Sequence, residues 1–382
     1  MPDISPNLTQ YEYEALYNTR RGHNLADGHA HQYQTESQTK IVEQLNQIFH
    51  YAESTSQAKI EREFLGSFFK IARQPTASTK QNTLLCYSAS TVIEIAANLI
   101  KKRGWVTGVV TPTFDNIPFI LQRVGVQTVA IEEQIVFSES KIVSLKLKGI
   151  KALFLVIPNN PTGKHIDFAR FNEIVEFCSQ NNVVLIVDFC FRFFVNPLLE
   201  WEQYLCAEKA KISYIFIEDT GKTWPSLDLK VGLLTVSDDL LPETKRIHND
   251  FLLNVSPFIL ELLRRYLDDS IEHGLNNSIQ NIVQSNRAYL REMLSSSFIR
   301  PANLTSLISV EWLTIEDEYS GDYIVDTLKN VGVYLLPGKN FFWSNPAQGD
   351  KFVRLALMRD PKVFRMAINQ LVKTLGESNH NR

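Results

Sequence analysis

Three apolar runs in the middle of this chain end in polar turns at intervals of about thirty residues, the length of a strand–helix–strand unit. Leu153–Ile157 runs into Pro158-Asn-Asn-Pro-Thr-Gly163, and Val183–Val187 stops at Asp188. Ile212–Ile217 stops at a turn that carries Asp219, Thr220 and Lys222. The spacing predicts an α/β fold: a large, mostly parallel sheet with its polar strand ends gathered on one edge. Ligands bind at such edges.

The pattern extends in both directions. Leu84–Tyr87 leads into Ser88-Ala-Ser90 and a helix, and Val106–Val110 ends in Thr111-Pro-Thr-Phe-Asp-Asn116. Val126–Ile131 and Val231–Thr235 read as further strands. Residues 38–72 are amphipathic and helical, and 243–295 are helical with a break near Pro257. From 305 to 376 short strands (Ser309–Leu313, Gly332–Leu336, Lys351–Ala356) alternate with helices, as in a smaller α+β domain. The expected organisation is an N-terminal arm over the active site (1–35), a large domain (36–270) and a small C-terminal domain (271–382). Part of the small domain is drawn from residues 36–75.

Composition excludes several classes. A net charge of −3 does not suggest nucleic acid or an anionic membrane as partner. The four cysteines are scattered without a C-x-x-C pair, which argues against a zinc site or disulfide framework and fits a reducing cytoplasm. No secretory h-region opens the chain, and no apolar run reaches membrane-spanning length. A cytoplasmic location is expected.

The polar strand ends carry a consistent chemistry. A lysine after a buried strand most often is an ordinary turn lysine; here its company along the chain argues otherwise. Pyridoxal 5′-phosphate (PLP) needs a lysine for a covalent imine, a carboxylate against its pyridine nitrogen, a donor to O3′, a phosphate cradle and a stacked aromatic. In chain order, Ser88, Ala89 and Ser90 precede a helix and suit the phosphate. Phe114 suits stacking, Asn160 suits O3′, and Asp188 suits the pyridine nitrogen. Lys222 supplies the imine and Lys230 a cation for the phosphate. Arg354 suits a bidentate clamp on a substrate carboxylate.

This order resembles the class I/II aminotransferases of PLP fold type I, from about Leu84 to the C-terminus. Three positions depart from that pattern: Phe191 stands for the usual tyrosine, Lys230 for the usual arginine, and Asp219 for the usual Ser or Thr. A carboxylate cannot donate to a phosphate, and two like charges about 5 Å apart repel by roughly 3 kcal/mol at an effective dielectric of 20. A cationic substrate side chain beside Asp219 would offset that repulsion.

Asn7-Leu-Thr-Gln10, Ala26-Asp-Gly-His-Ala30, Pro112-Thr-Phe-Asp-Asn116 and Ile217-Glu-Asp-Thr-Gly-Lys222 are similar to a narrower group. They resemble the PLP- and oxygen-dependent L-arginine oxidases and hydroxylases of enduracididine- and indolmycin-type antibiotic pathways. The resemblance implies a homodimer and an N-terminal helix that closes over arginine. Thr9, Glu12 and Asp219 would contact the guanidinium, with Glu14 as the alternative to Glu12. Asp27 and His29 would line the substrate side of the ring, His29 as an acid/base or water-positioning group. Dioxygen would be co-substrate, and the product a 4,5-dehydro or 4-hydroxy 2-oxo (or 2-imino) acid. Against this stand the plainer readings: a capping role for Glu12, a structural His29, and an ordinary aminotransferase acting on a cationic amino acid.

Overall fold

The computed structural model describes residues 9–18, 21–138, 149–195, 201–316 and 318–380. Asn7 and Leu8 of the N-terminal motif lie outside them. After β1 (His23–Asn24), seven strands build one sheet: β2 (Thr83–Cys86), β3 (Thr107–Thr111), β4 (Thr128–Glu132), β5 (Ala152–Val156), β6 (Val184–Asp188), β7 (Tyr214–Asp219) and β8 (Gly232–Val236). Their order is β2-β8-β7-β6-β5-β3-β4. Strands β4, β3, β5, β6 and β7 run parallel, and β8 is antiparallel to both β7 and β2. The link from β7 to β8 holds only turns, so no crossover helix returns the chain to a parallel start. Every residue of β3, β5, β6 and β7 is buried, as expected of strands covered on both faces.

The helix Ala89–Arg103 shows how local chemistry orients the site. Ser88 caps its start by accepting from the Thr91 amide, and Gly104 ends it in the left-handed region at φ 65. Lys101, Lys102 and Arg103 occupy its last turn and favour that polarity. Its positive N-terminus therefore faces the carboxyl edge of the sheet.

The smaller sheet comprises β9 (Ile299–Pro301), β10 (Val310–Ile315), β12 (Leu336–Pro337) and β13 (Phe352–Ala356), ordered β12-β13-β10-β9 and antiparallel throughout. The single strand expected over Gly332–Leu336 is divided. Its first part, β11 (Val333–Tyr334), pairs in parallel with β1, while β12 pairs with β13, so one apolar run serves two sheets. The domain boundary expected after residue 270 falls inside the helix Pro257–His273. That helix packs along Gln57–Ile71, and one hydrophobic core runs through both.

The N-terminal arm is held at three levels. Residues 23–24 pair with β11, Leu25 exchanges backbone hydrogen bonds with Tyr334 and Ala356, and the arm helix Gln10–Asn18 packs through Tyr13 and Tyr17. Tyr17 stacks on Tyr334 at 4.6 Å between ring centres. At the helix start, the Gln10 amide donates to Asp115 Oδ2 at 2.9 Å. Among the described residues, no helix is long and apolar enough to cross a membrane.

Asp115 is fully buried, and burial pushes its carboxyl up to about 7, against the opposing hydrogen bond from Gln10. A raised folded-state value means the folded protein holds a proton that the unfolded chain releases above about pH 4. The stability this confers is complete at acid pH and is lost as pH rises through 7. Asp115→Asn keeps the acceptor without the charge. Melting curves between about pH 5 and about pH 8 should fall less steeply for this variant than for wild type; parallel curves would remove Asp115 as the cause.

Candidate active site

The carboxyl ends of the parallel strands and the arm surround one pocket, with about 500 Å³ between its atoms. Asp188 ends β6 at its floor, with Oδ1 accepting from the Cys190 amide at 2.8 Å. Burial drives its proton affinity up and nearby Asp219 adds to that, while Lys222 opposes. A carboxylate so placed is stabilised in its charged form by any cation brought against it. Val156, Cys190 and Phe191 complete the floor.

Lys222 and Lys230 both line the pocket, each half-buried, on the segment between β7 and β8. Their ammonium groups converge on one imidazole: His29 Nε2 lies 2.9 Å from Lys230 Nζ and 3.5 Å from Lys222 Nζ. An ammonium only donates, so Nε2 accepts and the proton of neutral His29 sits on Nδ1. Nδ1 in turn meets Asp27 Oδ1 at 2.6 Å. Burial and the charge of Lys222 lower the proton affinity of His29, partly offset by Asp27. Burial also works against the charge of Asp27, but hydrogen bonds from His29 and His31 hold its carboxyl far below the usual range. Asp27 thus stands behind His29 rather than on the pocket wall.

The N-terminus of Ala89–Arg103 faces the pocket through Ser88 and Ala89. Asp219 already takes part there: Oδ2 accepts from the Ala89 amide at 3.0 Å and Oδ1 from the Gly221 amide at 2.5 Å. Both carboxylate oxygens are on backbone donors, although Asp219 still lines the pocket. Ser90 sits one layer back, donating to Tyr11 of the arm at 3.0 Å and accepting from Asn116. Phe114 lines the opposite wall and meets Tyr11 edge-on at 5.4 Å.

Arg354, on β13, is buried with its guanidinium in the pocket. Nη1 donates to Asn160 Oδ1 at 3.3 Å and Gln10 Oε1 at 3.4 Å. Nη2 donates to Glu14 Oε1 at 3.3 Å and to the Ala26 carbonyl at 2.5 Å. Gly28 runs between the cationic groups: a Cβ there would lie 3.7 Å from Arg354 Nη2 and 3.9 Å from Lys222 Nζ.

Of the two arm carboxylates, Glu14 lines the pocket. Thr9 and Glu12 close a capping box: the Thr9 amide donates to Glu12 Oε2 at 2.7 Å, and the Glu12 amide to Thr9 Oγ1 at 3.3 Å. Glu12 is exposed, whereas Glu14, two residues on, lies on the buried face with Gln10 and Tyr17. Burial raises the proton affinity of Glu14 and Arg354 counters it.

Two contributors were not legible in the sequence. Tyr11 closes the pocket through Ser90 and Phe114. Arg359 is buried and donates to the carbonyls of Asn24, Asp27 and His29, fixing the loop that carries the imidazole. Burial presses its pKa down to about 10, so it remains charged near neutrality.

The family model for aminotransferase class I and II matches residues 24–371. This chain belongs to that family. The solved structure of MppP soaked with the product 2-ketoarginine is 32% identical, covers 91% of this chain and 98% of that one, and has a TM-score of 0.86. Aspartate aminotransferase from Thermus thermophilus, solved with maleate, shares the fold at a TM-score of 0.80 and 14% identity, over 97% of each chain. Among curated relatives, histidinol-phosphate aminotransferase of Pelagibacter ubique is 22% identical over 57% of this chain and 60% of its own length. Dihydroxyacetone phosphate transaminase of Campylobacter jejuni is 23% identical over 42% of this chain, which spans 45% of that relative. The fold is the PLP fold type I of the aminotransferases, and the donor set fits that cofactor. It offers a lysine amine, a buried carboxylate across the pocket, and a helix N-terminus with a second lysine for an anionic group.

Arg359→Met frees the carbonyls of Asn24, Asp27 and His29 inside the protein. At about 1 kcal/mol for each lost hydrogen bond, the variant should be destabilised by roughly 3 kcal/mol. Urea unfolding measures this, and an unchanged midpoint would show that water or neighbouring groups replace the clamp.

Proposed function

We propose that this protein is a PLP-dependent oxidase or hydroxylase of L-arginine that uses dioxygen and yields a 4,5-dehydro or 4-hydroxy 2-oxo (or 2-imino) acid. One observation carries the reading: a single pocket presents a buried guanidinium, Arg354, together with two carboxylates beyond the usual aspartate, Glu14 and Asp219. A substrate with a carboxylate at one end and a guanidinium at the other matches that charge pattern. The similarity to MppP, whose structure was solved after soaking with the product 2-ketoarginine, supports the same substrate class. A cytoplasmic homodimer acting in specialised metabolism belongs to this reading.

In it, Lys222 holds the cofactor covalently and moves the proton at the substrate α-carbon. Asp188 keeps a proton on the ring nitrogen, and the ionic pair offsets the carboxylate's burial. Ser88, Ala89 and Lys230 would hold the phosphate, with Ser90 one layer behind them on Tyr11 and Asn116; Phe114 would stack on the ring and Asn160 would face O3′. Arg354 takes the substrate carboxylate. Glu14 or Asp219 grips the guanidinium. When bound, PLP would supply the electron sink that acidifies the α-hydrogen, and dioxygen would accept the electrons and protons removed. His29, neutral with its acceptor Nε2 directed at Lys230 and Lys222, is placed to take or position a proton beside Lys222. Closure by Tyr11 and Glu14 excludes water, which protects reactive intermediates.

Family membership favours a second reading, amino transfer from a cationic amino acid. Incubation with L-arginine in air and without oxygen, with pyruvate as acceptor, separates the two. Oxygen uptake and oxidised products with no alanine support the oxidase; oxygen-independent alanine formation supports the transaminase. A charge-assisted hydrogen bond of roughly 1.5–3 kcal/mol corresponds to about a 10- to 150-fold rise in KM when lost. Glu14→Gln should show a rise in that range, and Glu12→Gln should alter KM little. The reverse order would return the substrate contact to Glu12.

A further inference from the structure

His31 stands outside the pocket, yet it is joined to it by two hydrogen bonds. Its Nε2 lies 2.7 Å from Asp27 Oδ2, and the other oxygen of the same carboxylate lies 2.6 Å from His29 Nδ1. The His31 side chain is 39% exposed, whereas Asp27 is buried. The backbone is fixed on both sides of this arrangement. The His31 amide donates to Met358, the Ala30 amide to Gly221, and the His29 amide to Asp27 Oδ1. One carboxylate therefore connects an imidazole open to solvent with an imidazole facing Lys222 and Lys230.

We propose that His31 is a positioning residue for His29: it orients the shared Asp27 carboxylate, and its charge sets how firmly His29 holds a proton at Nε2. This deepens the role given above to His29 and rests on it for its bearing on catalysis. The physics is that of two bases on one anion. While His31 is neutral, Asp27 remains available to stabilise a proton taken up by His29. Once His31 is protonated, the carboxylate is neutralised from the other side and a second positive imidazole becomes unfavourable. His31 also donates to Oδ2, which leaves Oδ1 directed at Nδ1 and holds the tautomer whose Nε2 accepts.

Other charged groups act on the same cluster. Glu14 approaches from the arm helix, Lys222 and Lys230 from the segment between β7 and β8, Arg354 from β13, and Arg359 from just beyond it. Arg359 remains charged across the neutral range, and the His31 ring is open to water.

The test is a titration of histidine ring nitrogens by NMR in the PLP-loaded protein with 15N-labelled histidine. Wild type, His31→Gln and His31→Phe are compared from about pH 5 to about pH 9, with His29→Asn for assignment. Wild-type His29 should titrate in two linked steps, one coincident with His31. His31→Gln retains an amide donor and should leave a single step. His31→Phe, with no donor, concentrates the Asp27 charge on His29 and should move its midpoint upward by roughly half a pH unit. The midpoint of the pH–rate profile should move in the same direction. Superimposable His29 curves in all three proteins would overturn the proposal. If His29→Asn leaves arginine turnover unchanged while the linked titration persists, the catalytic reading of His29 fails and the linkage stands.

Discussion

Two buried guanidiniums near the end of one strand organise the N-terminal part of this molecule. Arg354 and Arg359 would be costly to bury alone, because desolvation disfavours an isolated charge. Each is compensated by the N-terminal segment: Arg354 by Gln10, Glu14 and the Ala26 carbonyl, Arg359 by the carbonyls of Asn24, Asp27 and His29. The segment is thereby drawn across the carboxyl edge of the large sheet. The pairing of β1 with β11 then ties it to the smaller sheet.

That placement explains the pattern of charge in the pocket. The sheet contributes Asp188 and Asp219 from adjacent strand ends, and Asp219 raises the cost of ionising Asp188. The segment that follows contributes two lysines. The arm adds a carboxylate, an imidazole and an aromatic cover, and the imidazole is kept neutral by burial and by Lys222. Asp219 resolves part of its own repulsion by accepting from Ala89 at a helix N-terminus, where a negative charge is favoured. A like-charge conflict visible in sequence is thus eased locally by a helix end, before any ligand is considered.

Much of the sheet was legible because its strands are apolar runs bounded by turn residues, with helices of crossover length between them. The elements carrying Lys222, Asp188, Asn160 and Phe114 lie where that spacing puts them, and these side chains line one pocket. The arm was less legible. Tyr-Glu-Tyr-Glu over residues 11–14 offers two carboxylates, and only the helix phase decides which faces inward. The capping box sends Glu12 to solvent and leaves Glu14 on the buried side. Arg359 carried no signal, because a buried arginine and a surface one look alike in sequence.

The sequence by itself determined the α/β class, the parallel core and the set of strand-end groups, since these follow from periodicity and from residue types at fixed intervals. It also determined the polarity of the helix Ala89–Arg103, through a serine at one end and glycine after basic residues at the other. Tertiary structure alone decided the division of residues 332–336 between two sheets, the inward turn of Glu14 and the sharing of Asp27 by two histidines. Each depends on contacts between residues far apart in the chain, such as Leu25 with Ala356 and Arg359 with Asp27. Local pattern cannot encode such distances; they are set when two sheets and one arm pack around the same buried charges.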